Sequence, residues 1–581
     1  MVSVRVMMKD RDMRRRLFMR AAFCGFASLV VAACARPRTE VVAPTAMARA
    51  ALEQRIGPAG TPGPVHCRAD RICGSDVLPG FYRKRDLRPA WIDDALELGN
   101  ARAFVSALAL VTDDGLDPEN YHRAAIVDLL GTIDRATQRP PLKIRAEDLA
   151  DLEMLLTDGF LLCGSHLLHG QVDPTTFHSD WHIKGRVEDL AAALEKGLAA
   201  NDIPGALDSL RPSFPQYTGL RRACARCRAQ IHAGGWPAFP VGPKLVKRDR
   251  GPRVEALRKT LAAMGELPEA LPSASSDDPD LFDGRLEAAV KSFQLRHGLE
   301  PDGVVGVDTE VSLNVSASGR LTQIRANLER WRWVTQDLGD RYVLVNIAGY
   351  FVWVIEAGRP VLTMNAIVGK AYRQTPEFSS RITRVTIDPS WNVPPKLARE
   401  DILPHIKEDP GYLRKMGFRV FAGWTDGASE LDPASIDWAR ITEDNLTYKF
   451  SQDPGPLNAL GRLVVTFPNP FDVYIHDTPA HGLFLRAARD LSSGCIRVEN
   501  ALDLVAYILR DDPGWTRDKI LAAIDAGATI DIPVPKPLNV HVLYWTAWLG
   551  DDDRIQFRED VYLRDAALLK ALEEKAAAST S

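Results

Sequence analysis

The feature that most constrains the fold of this chain is a change of apolar period near residue 320. Upstream, apolar residues recur at helical spacing, for example over 101–112 and 144–168. Downstream, stretches such as 341–347 and 361–368 alternate or run apolar with β-branched residues, and turns separate them. The sequence therefore predicts an α+β chain with a helical first part and a mainly β later part.

Length and composition are those of a multidomain globular protein. A chain of 581 residues is long enough for about three or four domains. Apolar residues make up 46% and charged residues 25%, as in ordinary globular proteins, and the net charge of −4 gives no sign of a nucleic-acid partner. No run of 18 or more apolar residues occurs, so a membrane-spanning helix of ordinary length is not expected.

The N-terminus is typical of an export signal. Three arginines at 14–16 precede an apolar stretch over 21–33, which has the length of a signal-peptide core. The sequence Val31-Ala32-Ala33-Cys34 resembles a lipoprotein cleavage site and predicts lipidation of Cys34. Plain cleavage at a small residue is the alternative, and both Sec and twin-arginine export fit the basic segment. The residues after Cys34 are rich in Pro, Ala, Gly and Thr and predict a tether.

Histidines and cysteines of the helical part invite a metal hypothesis that their spacing does not support. His166 and His169 stand three apart on a predicted helix, but no carboxylate lies beside them at ligand spacing. Cys224 and Cys227 would need two further zinc ligands, and a disulfide within one helical turn would be strained. No metal site is predicted. His178 and His182 belong to the same hypothesis and are likewise expected to pack or hydrogen-bond. Before the helical part, an oxidising compartment would favour a small-loop disulfide between Cys67 and Cys73.

Residues 250–316 form a separate small unit. Apolar residues fit one face of each of two predicted helices, over 254–261 and 286–293. With the stretch that follows, the unit resembles the three-helix peptidoglycan-binding module, with Asp302-Gly303 as a turn and Thr309 capping the last helix. Whether such a unit binds glycan or serves only as a spacer stays open.

Two short motifs near the C-terminal end carry the chemistry. One is Tyr474-Ile475-His476-Asp477-Thr478-Pro479, and the other runs from Ser492 to Asn500 around Ser493-Gly494-Cys495. They supply a thiol, an imidazole and a glycine-flanked turn, which together suit acyl transfer through a thioester. The alternative is a buried structural cysteine with an unrelated histidine.

These motifs resemble the L,D-transpeptidases with a YkuD-type catalytic domain, and most closely their large periplasmic, peptidoglycan cross-linking branch (YcbB-like). In that branch Ser commonly stands two before the Cys, as Ser493 does here. The resemblance spans roughly 320–510. It rests on further motifs at 327–333, 368–370, 375–379, 391–394 and 454–461.

The resemblance implies the reaction and its catalytic residues. Cys495 attacks the carbonyl between the diamino acid and D-Ala of a tetrapeptide stem, D-Ala leaves, and a second stem resolves the thioester into a cross-link. His476 is the proton acceptor and donor, and the Gly494 and Cys495 backbones form much of the oxyanion hole. No cofactor is implied, a carbapenem is expected to acylate the thiol, and the partners are peptidoglycan stem peptides and glycan.

The remaining site residues carry alternatives. Tyr474 would donate to the oxyanion, orient the imidazole, or only pack. Arg497 would hold the spare carboxylate of the diamino acid or brace the Cys loop through backbone carbonyls. Ser493, Asn458 and Thr478 are expected to line the substrate site. Arg486, with Arg489, would bind stem carboxylates or stabilise the loop, while Asp477 and Glu499 would orient His476 or stay on the surface.

The predicted organisation is α+β multidomain, with an all-α scaffold domain, a three-helix module and a mainly β catalytic domain. A cap insertion over about 400–452 interrupts the β pattern with prolines, glycines and mixed charges. The predicted parts are a signal peptide and lipidation site over 1–34, a tether over 35–74, the scaffold over 75–245, the module over 250–316, the catalytic domain over 320–535 and a C-terminal extension over 536–581.

Other functions fit parts of the same pattern. Water as acceptor would make the chain an L,D-carboxypeptidase, and a protein lysine would make it a wall-attachment enzyme. A non-catalytic wall-binding lipoprotein would use the module and tether alone. The expected location is the periplasm of a Gram-negative bacterium, with a lipid anchor in a membrane.

Overall fold

The computed structural model describes residues 42–56, 66–67, 70–71, 77–138, 143–176, 181, 183–267, 278–425 and 427–580. The predicted signal peptide with Cys34, most of the tether, the Cys67–Cys73 pairing, and the histidines at 178 and 182 lie outside the described residues or side chains. Among the described residues, we find no helix whose length and apolarity would let it cross a membrane.

The N-terminal part is helical and packs around one long, buried helix. That helix, Ala146–His169, is buried along nearly its whole length because apolar side chains occupy most of its surface. A two-residue hairpin, β1 (His66–Cys67) and β2 (Asp70–Arg71), accompanies it. The helices are α1 (Pro44–Ile56), α2 (Leu78–Lys84), α3 (Gly99–Leu110), α4 (Arg123–Thr137), α5 (Ala146–His169), α6 (Leu190–Ala200), α7 (Ile203–Ser209) and α8 (Pro215–His232).

The histidines and cysteines of this part make local contacts. His166 Nδ1 lies 3.1 Å from the Tyr121 hydroxyl, and His169 Nε2 lies 3.1 Å from the Arg186 carbonyl. Cys224 and Cys227 on α8 are free thiols. No cluster of potential metal ligands occurs among the described residues.

The small unit contains three helices around a core of its own. They are α9 (Pro252–Ala263), α10 (Gly284–Arg296) and α11 (Val307–Leu313). The Asp302-Gly303 turn forms, with Gly303 at φ +79° and the Asp302 carboxylate accepting from Val304 N. The expectation for Thr309 is wrong. Thr309 lies inside α11, whose N-cap is Gly306, and its buried hydroxyl accepts from the Gln294 amide at 3.2 Å.

Helix α12 (Ala317–Trp333) joins the helical parts to the sheet and carries the 327–333 motif. The Asn327 amide donates to Thr546 Oγ1 at 2.8 Å, and Arg332, buried on the same helix, donates to Glu329 at 2.6 Å. The motif is therefore structural: it ties the helical parts to the C-terminal segment.

The mainly β part is a nine-stranded sheet that closes on itself. The strand order is β13-β5-β14-β12-β11-β6-β15-β3-β4, and β4 also pairs with β5. Inward side chains alternate along the strands, as with Val343 and Val345 on β3 and Val352 and Val354 on β4. The strands are β3 (Arg341–Asn346), β4 (Phe351–Glu356), β5 (Arg359–Gly369), β6 (Phe378–Ile387), β11 (Leu463–Thr466), β12 (Ile475–His476), β13 (Asp490–Ser492), β14 (Ile496–Val498) and β15 (Ile530–Leu543).

The predicted boundary at 535 is wrong. It falls within β15, which lies between β6 and β3 and is part of this sheet. Prolines at 533, 535 and 537 hid the strand in the sequence, and the register shift lies between Pro533 and Leu538. Helices α16 (Ala501–Ile508) and α17 (Arg517–Ala526) pack on the sheet core, while β16 (Ala547–Leu549), β17 (Ile555–Phe557) and α18 (Arg564–Thr580) follow β15.

The cap is a compact insertion with its own sheet and core. Its strands are ordered β7-β10-β8-β9, and its first strand begins at Trp391 rather than near 400. The expected irregular packing is also wrong, because Val393, Phe418 and Phe450 belong to a buried apolar cluster. The elements are β7 (Trp391–Asn392), α13 (Pro395–Leu397), a π-helical turn (Ala398–Ile402), α14 (Leu403–Glu408), α15 (Tyr412–Lys415), β8 (Phe418–Phe421), β9 (Glu430–Leu431) and β10 (Lys449–Gln452).

Candidate active site

Parallel pairing of two short strands brings the two motifs together. Ile475 of β12 pairs with Ile496 of β14, and His476 pairs with Arg497. Cys495 directly precedes β14, so it lies level with Tyr474, whose carbonyl accepts from the Ile496 amide at 3.1 Å. The sheet register thus places Cys495 beside Tyr474, two residues before His476 on the neighbouring strand.

The Cys495 thiol is half-buried among polar groups. Its sulfur lies 3.8 Å from the Asp472 carbonyl. Burial raises the pKa of Cys495, while hydrogen bonds from the Tyr474 backbone and phenol and the charge of Arg497 oppose that rise. Burial, followed by the nearby Cys495, raises the pKa of Tyr474, so its phenol stays protonated as a donor. The indole of Trp391 in the cap hydrogen-bonds to that phenol in turn.

The His476 imidazole is buried, with 4% of its surface exposed. Its Nδ1 lies 2.6 Å from the Asp477 carbonyl, which can only accept a hydrogen bond. In the neutral ring Nδ1 therefore carries the proton, which leaves Nε2 as the basic nitrogen. Burial and then the charge of Arg497 lower the pKa of His476 to about 3, although the Asp477 and Leu460 carbonyls favour the protonated form.

The loop over 458–462 holds Asp477 in position. The Asp477 carboxylate accepts from Arg462 N at 2.9 Å, and Gly461, at φ +65°, lies so close that a Cβ there would be 2.5 Å from that carboxylate. Asp477 therefore contacts His476 through its backbone and not through its carboxylate. Glu499 does not orient the imidazole either, because its carboxylate accepts from the Asn365 amide at 3.0 Å.

The turn before Cys495 requires a glycine. Gly494 has φ +117°, a region that other residues rarely occupy. Its carbonyl accepts from Thr375 Oγ1 at 2.8 Å, and its amide lies 3.2 Å from Ser492 Oγ. The Ser492 hydroxyl donates to the Cys495 carbonyl at 2.6 Å. Because the Gly494 amide is already engaged here, its part in an oxyanion hole stays a prediction.

Arg497 is a cation without a counter-ion in the described part of the chain. No ion pair involves it there, and its buried Nε has no hydrogen-bond partner among the described residues. Burial lowers the pKa of Arg497, and the nearby Cys495 opposes this shift. The guanidinium does not brace the Cys loop through described backbone carbonyls, so it is available for a carboxylate.

Ser493 connects the catalytic turn to the cap. It is exposed, and its hydroxyl accepts from Arg373 at 2.8 Å. Arg373 also pairs with Glu400 at 2.5 Å and Asp401 at 2.6 Å, both on the π-helical turn of the cap. A single guanidinium therefore bridges the cap and the residue two before Cys495.

Four other predicted residues occupy different surroundings. The buried Asn458 amide donates to the Pro389 and Asp453 carbonyls at 2.8 and 3.1 Å, so it shapes the loop and has no donor left for substrate. Thr478 is buried and accepts from Ala480 N at 3.2 Å. Arg489 stabilises its loop by donating to backbone carbonyls. Arg486 is exposed and lines a separate cavity.

Sequence reasoning assigned no role to Thr375, Arg373 or Trp391. Thr375 and Trp391 lie within motifs that carried the family resemblance, and this was the only signal for them. Nothing local marked Arg373, because its partners come from the cap and from the Cys turn. The carbonyl partner of His476 has no sequence signal, since every residue has a carbonyl.

Family models match three separate parts of the chain. Residues 340–520 match an L,D-transpeptidase catalytic domain, residues 76–223 match a "Scaffold domain", and residues 250–313 match a "Putative peptidoglycan binding domain". The sheet that carries Cys495 and His476 is thus an L,D-transpeptidase catalytic domain. The chain combines that domain with a scaffold domain and a peptidoglycan-binding domain, which confirms the predicted α+β multidomain fold.

One curated relative is similar in sequence to part of this chain. A Haemophilus influenzae protein named "Putative L,D-transpeptidase" is 34% identical over 248 residues, which cover 42% of this chain and 49% of that protein. The chain thus spans about half the length of the curated relative it matches.

Solved structures add only distant likenesses. An L,D-transpeptidase from Mycobacterium smegmatis shares 12% identity over 35% of this chain and 58% of its own, with a TM-score of 0.17. One from Stackebrandtia nassauensis shares 13% identity over 53% of this chain and 96% of its own, with a TM-score of 0.20. Values this low carry no argument about function.

Proposed function

We propose that this chain is a cysteine-dependent L,D-transpeptidase that cross-links peptidoglycan. The observation that carries the proposal is the β12–β14 pairing, which sets Cys495 beside Tyr474 and level with the strand that holds His476. A thiol, a neutral imidazole of fixed tautomer and an unpaired guanidinium in one place fit acyl transfer from a substrate that carries a carboxylate.

Acylation begins from a neutral pair. Burial keeps Cys495 as thiol and His476 as imidazole, because it raises the pKa of the thiol and lowers that of the ring. His476 Nε2 takes the thiol proton as sulfur attacks the carbonyl of the third stem residue. The C–N bond to D-Ala then breaks, the imidazolium protonates the leaving amine, and a thioester remains.

Deacylation repeats these steps with a second stem. Its side-chain amine attacks the thioester carbonyl and gives a proton to His476. The C–S bond breaks, the thiolate takes that proton back, and an amide cross-link is formed. Water in place of the amine gives the L,D-carboxypeptidase reaction, and a protein lysine gives wall attachment.

Arg497 is proposed to bind the free carboxylate of the diamino acid. Its charge is the second largest cause that lowers the pKa of His476. A bound carboxylate would neutralise that charge and raise the pKa of the imidazole toward the working pH, which makes the ring a better base. Substrate binding would thus strengthen the base at the moment when it is needed.

Intact-mass measurement with a carbapenem tests the catalytic assignment. Wild type should form a stable covalent adduct, Cys495→Ala should form none, and His476→Ala should acylate about 10²–10⁴-fold more slowly. Cys227→Ala is the matched control, because it removes a free thiol outside the catalytic domain. An adduct on Cys495→Ala would refute the nucleophile, and normal acylation of His476→Ala would refute the base.

Analysis of the products identifies the acceptor. Purified disaccharide tetrapeptides are incubated with the enzyme and separated by mass. Cross-linked dimers with release of D-Ala support transpeptidation. Tripeptides as the sole product would show that water is the acceptor and would refute cross-linking.

We further propose that the mature protein is anchored in a membrane through lipidated Cys34 and faces the periplasm. The support is the Val31-Ala32-Ala33-Cys34 sequence after an apolar signal core. A Cys34→Ser variant should move from the membrane to the soluble periplasmic fraction. A soluble wild type would refute the anchor.

A further inference from the structure

An aromatic cleft of about 320 Å³ lies apart from the thiol. It is formed by residues of α8, α10 and α12, the outer face of β3 and β4, and the segment after β15. Trp331 and Trp545 stack with ring centroids 4.2 Å apart, and Trp353 meets Trp548 edge to face at 6.0 Å. The volume is within the range of about 300–1,000 Å³ that is usual for ligand sites.

Polar groups surround these rings. The half-buried side chain of Gln556 and the exposed carboxylate of Asp551 line the cleft. Among the described residues, the buried indole N–H of Trp331 has no acceptor. Arg558 lies over the Trp548 ring at 4.8 Å. Buried polar groups normally find partners, so the Trp331 indole is an unused donor within the cleft, and Gln556 and Asp551 add polar groups at its edge beside flat apolar faces.

A second cavity of about 220 Å³ adjoins this cleft. The two cavities share Leu295, Phe351 and Arg558. The far wall of the second includes Arg486, on the segment that leads into β13 and then into Cys495. We treat these two adjoining cavities as one groove, lined at one end by the tryptophans and at the other by Arg486, with residues of the peptidoglycan-binding module between them.

We infer that this groove binds the sugar rings of a glycan strand. A pyranose has an apolar C–H face that packs on an aromatic ring, and hydroxyl and acetamido groups at its edge that need donors and acceptors. The tryptophans supply the first, and Gln556, Asp551 and Arg558 supply the second. An acyl chain would leave the buried Trp331 indole N–H without an acceptor. The inference rests on the proposed function, because the thiol would take the stem peptide of the same strand.

Trp353 is the residue that tests the groove with least damage to the fold. It is half-buried on the outer face of β4 and packs against the cluster that contains Trp331 and Trp545, so its truncation leaves the inner sheet core around Val352 and Val354 intact. Trp353→Ala removes a ring face, and Trp353→Phe keeps one. Trp424→Ala is the matched control, since Trp424 is 45% exposed on the cap and outside the groove.

The experiment measures binding of stem-free glycan strands to the full-length chain by calorimetry, with thermal unfolding as the check on folding. Wild type and Trp424→Ala should bind alike, Trp353→Ala about tenfold more weakly, and Trp353→Phe within about threefold of wild type. Equal binding by Trp353→Ala, or no binding by wild type, would overturn the inference. Trp353-dependent binding of phosphatidylglycerol vesicles instead of glycan would also overturn it. Carbapenem acylation of wild type is run in parallel, and its failure would count against the proposed function and not against the groove.

Discussion

Replacement of Tyr474 by Phe isolates the contribution of one hydroxyl to the nucleophile. The phenol is the side chain whose hydrogen bond lowers the pKa of the Cys495 thiol, against the rise caused by burial. The Phe ring keeps the packing against His476, whose centroid lies 5.6 Å away, and the backbone hydrogen bond remains. The substitution therefore removes one interaction with the thiolate and little else.

The size of the effect follows from the charge of the thiolate. A hydrogen bond to a charged group contributes about 1.5–3 kcal/mol, and one pKa unit corresponds to about 1.4 kcal/mol. Loss of the phenol should raise the pKa of Cys495 by about one to two units. At fixed pH below that pKa, the thiolate fraction should fall about 10–100-fold.

The assay is alkylation of Cys495 by iodoacetamide as a function of pH, followed on the Cys495 peptide by mass spectrometry. Tyr474→Phe should shift the profile to higher pH by one to two units. Trp391→Phe, which removes only the donor to Tyr474, should shift it less. Tyr507→Phe is the control, because that phenol bonds to Glu356 instead. An unchanged profile in Tyr474→Phe would refute the argument that the phenol stabilises the thiolate.

Three further outcomes are expected. Gly461→Ala should lower carbapenem acylation and stability, because its Cβ would displace Asp477, whereas Gly423→Ala in open space should not; equal behaviour of the two would contradict the role given to Asp477. Lowering the pH from about 6.5 toward 3 should reduce the free energy of unfolding by up to about 1.4 kcal/mol per pH unit for each of His166 and His476, because the unfolded chain binds protons that the folded one excludes. Denaturant titrations at several pH values should show that the free energy of unfolding depends less steeply on pH in His166→Gln than in wild type. Replacing 393–450 by a short Gly/Ser turn between the register partners Asn392 and Ser451 should leave acylation but raise the share of hydrolysed product, and an unchanged ratio of cross-link to hydrolysis would dismiss the cap as a gate.

Local patterns in the sequence predicted most of the elements that build the site. Strands over 341–347 and 463–467 and the long helix over 144–168 follow from apolar period alone, because burial of one face or one stripe dictates that period. The order of the motifs also predicts a catalytic thiol and imidazole, and that assignment stays a prediction.

The rest depended on long-range packing. Prolines concealed β15, and only its pairing with β3 and β6 shows that it belongs in the sheet. The sequence predicts an irregular cap because its core residues are scattered through short elements. None of these elements is long enough to show a helical or strand period. Asn458 was a reasonable substrate contact by type, but its donors are used by backbone carbonyls that sequence cannot locate.

The position of β15 has a consequence for how the enzyme matures. Asn539 pairs with Tyr342, about 200 positions earlier in the chain, and β3 has β15 as its partner on one side. Contacts between such distant segments form late and slowly, because the loop between them must be closed first. If the chain is exported from its N-terminus, as proposed, the Cys495 thiol would emerge before β15, the last strand of the nine-stranded sheet in chain order. The sheet could then close only after nearly the whole chain had emerged.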